Sequence, residues 1–206
     1  MGYLKYVKQL WKKPDTNAKE LKKQRLIAYR REPVTLRILK PTRIDRARAL
    51  GYKAKQGFII VRQRVSRGGH SRPHDQRGRR PKHNRRNMVL NKSYQQICEE
   101  RANRKFTNCE VLNSYYIEKD GKSIWYEVIL IDREHPQILA NNNLKNLVKK
   151  KGRTFRGLTS AGRKSRHLDA KGKGTEKHRP GKSAVYRKKH RNDPPEYRKR
   201  YNKNFK

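Results

Sequence analysis

The sequence predicts an α+β domain: a small antiparallel sheet with helices on one face, in the order β-α-β-α-β-β. N-terminal helices, a long basic loop and a basic C-terminal extension complete it. Three observations carry this reading. Residues 57–65 alternate, with Ile59, Val61 and Val65 on one face and Arg62 and Arg64 on the other, the period of a half-buried strand with a basic outer face. Two apolar runs, at about 110–118 and 123–132, flank Glu118-Lys119-Asp120-Gly121, where Asp-Gly signals a hairpin. Tyr3, Tyr6, Val7, Leu10 and Trp11 recur at the spacing of one face of an amphipathic helix.

The elements follow in order. The first helix stops at Pro14-Asp15, and a second runs from about Thr16 to Tyr29, before Pro33 blocks continuation. Val34 to Leu39 reads as a short strand. Thr42 and Asp45 have capping-box spacing after Pro41, and Gly51 supplies a left-handed stop, so 43–50 is a short helix. Beyond the strand at 57–65, the stretch from Ser66 to Asn87 has no Leu, Ile, Val, Met or aromatic residue, so it can bury nothing. Ser93 and Gln96 form a second capping box, and Tyr94, Ile97, Cys98 and Ala102 line the face of the helix they open. The hairpin closes the domain. A split β-α-β arrangement of ferredoxin type is the alternative topology. Residues 1–148 form the domain, with the basic loop 66–90 inserted in it, and 149–206 form the extension.

Composition narrows the function. Among 206 residues, 57 Lys and Arg face 17 Asp and Glu, a net charge of +40. Leu, Ile, Val and Phe make up about 19% of the chain, at the edge of what a charged chain needs to fold, although they concentrate in 34–65 and 111–131. Self-repulsion at this charge opposes compaction unless a polyanion neutralises it. Nucleic acid is therefore the expected partner, ahead of an anionic membrane. No apolar run is long enough to span a bilayer. Two cysteines are too few for a disulfide framework and point to a reducing, intracellular compartment. Cys98 reads as a small core residue, while no pattern assigns Cys109 a place.

Catalytic and cofactor signatures fail one by one. Gly181-Lys182-Ser183 resembles the end of a phosphate loop, but the first glycine's position holds Glu176, which would repel phosphate. His70, His74 and His83 share a loop with many arginines and have no neighbouring cysteine, an unsuitable setting for a structural cation. Asp132 and Glu134 sit at a strand end ahead of Pro136, as a surface turn requires. No Ser/His/Asp or Cys/His constellation is visible, so neither an enzyme nor a cofactor is expected.

The strong signal is the loop. Of its 22 residues from Ser66 to Asn87, eight are basic: Arg67, Arg72, Arg77, Arg79, Arg80, Lys82, Arg85 and Arg86, against the single acid Asp75. Gly68 and Gly69 let backbone N–H groups approach phosphates, and the planar arginine fork suits phosphate contacts and stacking on bases. A second element, Arg156 to Arg166, places Thr159 as a helix cap before Ser160-Ala161-Gly162. Arg163, Lys164 and Arg166 follow it, a small-residue turn that can approach a sugar-phosphate backbone. With Arg48 on the short helix and Arg62 and Arg64 on the strand, these residues are the expected RNA contacts. A basic protein that compacts DNA or anneals RNA by charge alone is the competing class, and it has no need of patterned core strands.

Several blocks of this chain are similar to one known family. Lys40-Pro41-Thr42-Arg43, Arg48-Ala49-Leu50-Gly51-Tyr52-Lys53-Ala54-Lys55-Gln56-Gly57 and Val65 to Gly69 occur in the family's order. So do Val111 to Tyr116, Glu127 to Asp132, Arg156 to Arg166 and the N-terminal Lys5 to Lys13. Together they resemble large-subunit ribosomal protein fifteen of the archaeal and eukaryotic type, over nearly the whole chain. The looser stretches are 74–90 and the tail after Leu168. The resemblance implies an α+β fold with basic extensions, large-subunit ribosomal RNA and neighbouring large-subunit ribosomal proteins as partners, and no enzymatic activity. It implies a place in the cytoplasmic ribosome, with assembly in the nucleus or nucleolus for a eukaryotic chain. It also carries Arg43, Arg46, Lys53, Lys55, Arg67 to Gly69, Arg163, Lys164 and Arg166 over as RNA contacts.

Overall fold

A computed structural model describes residues 2–71, 78, 87–88 and 92–165. Arg72, Arg77, Arg79, Arg80, Arg85, Arg86 and Arg166 lie outside the described residues, as do His74, His83 and the tail with Gly181-Lys182-Ser183. The chain divides into two units, 1–162 and 163–206, and the packing below is that of the first. Its elements are α1 (Leu4–Lys12), α2 (Thr16–Arg31), β1 (Thr35–Ile38), α3 (Ile44–Ala49) and β2 (Phe58–Ser66). Then come β3 (His70–Ser71), β4 (Asn87–Met88), α4 (Tyr94–Lys105), β5 (Cys109–Lys119) and β6 (Ser123–Asp132). Two short helices, α5 (Pro136–Leu139) and α6 (Asn142–Val148), lead to α7 (Ser160–Ser165), which crosses the unit boundary.

The fold is α+β, built on a four-stranded antiparallel sheet in the order β1-β2-β6-β5. β1 and β2 pair directly, from Thr35 opposite Gln63 to Ile38 opposite Ile60, so no strand is threaded between them as a split β-α-β unit would require. β2 pairs with β6 along its whole length, from Phe58 opposite Ile131 to Ser66 opposite Ser123. Helices cover both faces rather than the one expected. The cause is β6, whose run Ser123 to Asp132 is apolar on both sides, as in a strand buried between two layers. Ile124, Val128 and Leu130 join Val61, Val65, Cys98 and Ala102 beneath α4. Trp125 and Ile129 join Tyr29 of α2, Ala47 of α3, and Tyr115 and Ile117 on the opposite face. The Tyr29 and Trp125 rings lie 6.0 Å apart, centre to centre. Ile131, Ile138 and Val148 close one end under α5 and α6. Burying each large side chain of this kind contributes about 1.5–3 kcal/mol.

Local signals hold at some ends and fail at others. Asp15 caps α2 by accepting from the Ala18 amide, and Ser93 caps α4 by accepting from Gln96 N. The box at Thr42 and Asp45 does not form: α3 starts after Arg43 without a side-chain cap, and Asp45 pairs with Arg43 instead. In the hairpin Asp120 sits one place earlier than the Asp-Gly rule expects. Its backbone N–H donates to Ser123 O, and its carboxylate accepts from Lys122 N and Ser123 N, leaving Gly121 and Lys122 as the two loop residues. Along α1, Tyr3, Tyr6 and Leu10 stay exposed although they share one face, and no residue of that helix is buried. Cys98 and Cys109 are both buried and unbridged, and burial pushes the Cys109 thiol up to about 11.

Candidate nucleic-acid interface

The distribution of charge starts with where the acids go. Glu99, Glu110 and Glu127 are essentially inaccessible, and Glu100, next to Glu99 in sequence, is buried as well. Glu127 accepts from the Tyr115 hydroxyl and from Thr42 N, so its carboxylate fixes the chain entering α3. Burial raises the Glu127 pKa, against the hydrogen bonds from Thr42 and Tyr115. The remaining acids of the sheet edge are matched at the surface, with Glu118 on Lys22 and Asp120 on Arg30. Acids thus serve internal contacts, while cations outnumber them outside.

The expected contact residues divide accordingly. Arg46 and Arg48 on α3, and Lys53 and Lys55 in the loop after it, are exposed, and none forms an ion pair among the described residues. Arg43 is held inside the fold. Its guanidinium lies 4.7 Å from the centre of the Trp11 ring and bonds Asp45 at 3.2 Å. Arg62 is likewise internal: its side chain is 11% exposed, pairs with Glu32 at 2.9 Å and stacks 3.9 Å from the centre of the Tyr29 ring. Arg64 donates to the Arg30 carbonyl at 2.8 Å. The polar side of β2 is therefore a seam against the end of α2, where cationic side chains satisfy a helix C-terminus. It is not the open basic face that alternation suggests. A helix arriving from thirty residues upstream leaves no mark on the strand's own pattern.

At the root of the basic loop, Arg67 donates to the Asp120 carbonyl and Gly68 is gripped by Tyr94. The Tyr94 hydroxyl accepts from Gly68 N at 2.9 Å and donates to Gly68 O at 3.1 Å. Gly68 has φ +113°, and a side chain there would meet open space, so the glycine serves backbone conformation. Gly69 is exposed. Two short strands, β3 and β4, then pair His70 with Met88 and Ser71 with Asn87. Their backbone pairing was invisible in the sequence because it involves only two residues a side.

The stretch from 149 to 162, assigned from the sequence to the extension, belongs to the first unit. β5 is an edge strand, and its register shifts between Val111 and Asn113. That bulge releases carbonyls from the ladder. Arg153 takes them, donating to Val111 O at 2.6 Å and Leu112 O at 3.2 Å. Glu110 accepts from Gly152 N at 2.7 Å. Burial lowers the Arg153 pKa, opposed by Glu99 and Glu110. Thr159 accepts from Gly162 N, as a helix cap does, and donates its own hydroxyl to Glu99. Gly162 is buried, and a Cβ on it would lie 2.7 Å from Gly157 Cα, so internal packing requires this glycine. Arg156 is exposed and donates to the Lys151 carbonyl, while Arg163 and Lys164 present exposed side chains on α7. Sequence reasoning missed Arg153 because its partners lie about forty residues away and it stands among other basic residues.

Comparison with known proteins fits this pattern of inward acids and outward cations. The family model described as Ribosomal L15 matches residues 2–185. The chain belongs to this ribosomal protein family. A relative from Methanocella arvoryzae, named large ribosomal subunit protein eL15, is 50% identical over 183 residues, covering 87% of this chain and 93% of its own length. This member of the Ribosomal L15 family is a structural component and not an enzyme. The family match extends across the basic loop and past α7 to residue 185, so it takes in the basic loop and the first part of the C-terminal extension. Among the described residues of this ribosomal protein, no helix is long and apolar enough to cross a membrane.

Proposed function

We propose that this chain is a structural constituent of the large ribosomal subunit in the cytoplasmic ribosome, where it binds large-subunit rRNA and touches neighbouring ribosomal proteins. The observation that carries the reading is that Arg46, Arg48, Lys53 and Lys55 form no ion pair among the described residues, on a chain whose buried acids are turned inward. Phosphates are the natural partners of such cations, because each neutralised phosphate releases counterions. The α3 arginines, the 53–55 loop, Arg67 to Gly69 and the basic side chains of α7 form the contact set. The further cations of the basic loop, Arg72, Arg77, Arg79, Arg80, Arg85 and Arg86, extend it, as does Arg166. Arg43, Arg62 and Arg64 shape the surface from within.

The test is sedimentation of a lysate from cells expressing the tagged full chain, followed by hydroxyl-radical footprinting of the RNA that travels with it. The chain is expected in large-subunit particles, with rRNA backbone protected. Recovery with chromatin, or in particles without protected rRNA, would favour charge-only binding to polyanions and overturn the reading.

A further inference from the structure

A cleft of about 550 Å³ opens between the loop before β2 and the helices α5 and α6. That volume lies within the roughly 300–1,000 Å³ typical of sites that enclose a small organic group. Beside the cleft, Gly57 has φ +85° and lies so close to α5 that a Cβ would stand 2.7 Å from Ile138 Cγ1.

The lining is sorted by chemistry. Phe58, Ile138 and Leu144 form an inner apolar wall, with Ile138 buried and the other two half-buried. Lys53 and Lys55 stand exposed at the rim, and no acidic side chain lines the cleft. Gln137 offers a side-chain amide that no group among the described residues engages. Asn141 uses its Oδ1 to accept from Asn143 N, so its amide N–H groups remain available. An apolar wall, amides that both donate and accept, and a rim of two cations match the three parts of a nucleotide. The base has an apolar face and a mixed polar edge, and the phosphate is an anion. An acidic peptide would satisfy the lysines and the amides but would not lay a flat aromatic ring against Phe58, Ile138 and Leu144 as a nucleobase does.

We propose that this cleft receives one unstacked RNA nucleotide, its base against Phe58, Ile138 and Leu144, its edge on Gln137 and Asn141, and its phosphate on Lys53 and Lys55. The proposal rests on the rRNA-binding reading above and sharpens it, turning a backbone contact into a site that selects an extruded base.

Ala140 lies exposed on the rim, so Ala140→Trp fills the cleft from outside without disturbing the core. Large subunits carrying wild-type chain or this variant as the only copy are probed with reagents that modify unpaired base edges. One nucleotide should be protected by the wild type and become roughly tenfold more reactive with A140W, the size expected for losing one stacked base. The same nucleotide should respond, more weakly, to Lys53→Gln with Lys55→Gln. Should A140W not enter the subunit, Gln137→Leu gives the same reading, because Gln137 is exposed and its side chain bonds no group among the described residues. Unchanged reactivity at every nucleotide, with the chain incorporated and its backbone footprint intact, overturns the cleft proposal while leaving rRNA binding in place. A photo-crosslink from position 137 to protein instead of RNA also overturns it.

Discussion

Thr159 donates its hydroxyl proton to Glu99 at 2.6 Å, joining α4 to the cap of α7 across 60 residues of chain. Ser114 donates to the other carboxylate oxygen at 2.5 Å. Glu99 is thus satisfied by two neutral hydroxyls, with Arg153 acting only at a distance, and burial raises its pKa above 4.5. A carboxyl with a raised folded-state pKa binds more protons folded than unfolded. Its contribution is full below the unfolded value and is lost as pH rises through the folded value.

Glu99→Gln should therefore remove part of the loss of stability that accompanies rising pH. Urea midpoints of the two proteins, measured from about pH 4 to about pH 7, should diverge upward in favour of the variant. Parallel curves would mean that Glu99 does not titrate in this range.

Arg153→Met should lower stability by about 2 kcal/mol, below the range for fully buried pairs because the guanidinium is only half-buried. The change leaves the Val111 and Leu112 carbonyls without their donor and Glu99 and Glu110 without a nearby cation. Hydrogen exchange should quicken at 152–159 more than in β6. Uniform acceleration across the sheet would place the effect elsewhere.

Two truncations should behave differently. A chain ending at Ser165 keeps every contact described here and should unfold at nearly the full-length midpoint, while its binding to RNA becomes less steeply salt-dependent. A chain ending at Val148 loses the groups that meet Glu99, Glu110 and the β5 bulge. It should unfold at a distinctly lower urea concentration. Equal midpoints for the two would show that 149–162 adds nothing to the first unit.

The glycines should separate in the same way. Gly162→Ala forces a methyl group against the Gly157 backbone and should destabilise the free protein by about 1–3 kcal/mol, as overpacking does. Gly68→Ala meets no neighbour and costs only about 1–2 kcal/mol of positive-φ strain at the loop root, with its larger effect on RNA affinity. Tyr94→Phe removes both hydroxyl bonds to Gly68 and should speed exchange of the Gly68 amide without lowering stability by more than about 1.5 kcal/mol.

The sequence by itself determined the main helices and strands and the excess of positive charge. Strand alternation, helix periodicity and the caps at Asp15 and Ser93 are written in residues within a few positions of one another, and a charge of +40 needs no coordinates to be read. Tertiary structure decided what each charge does. Arg62 and Arg153 carry the same side chain as Arg46 and Arg48, yet the first two bond inside the fold and the last two face solvent. Gly162 looked like an opening for a phosphate and is instead filled by Gly157. Local pattern reports which way a side chain points along its own element. Whether another element then covers it depends on partners thirty to sixty residues away, and those distances close only when the chain has folded.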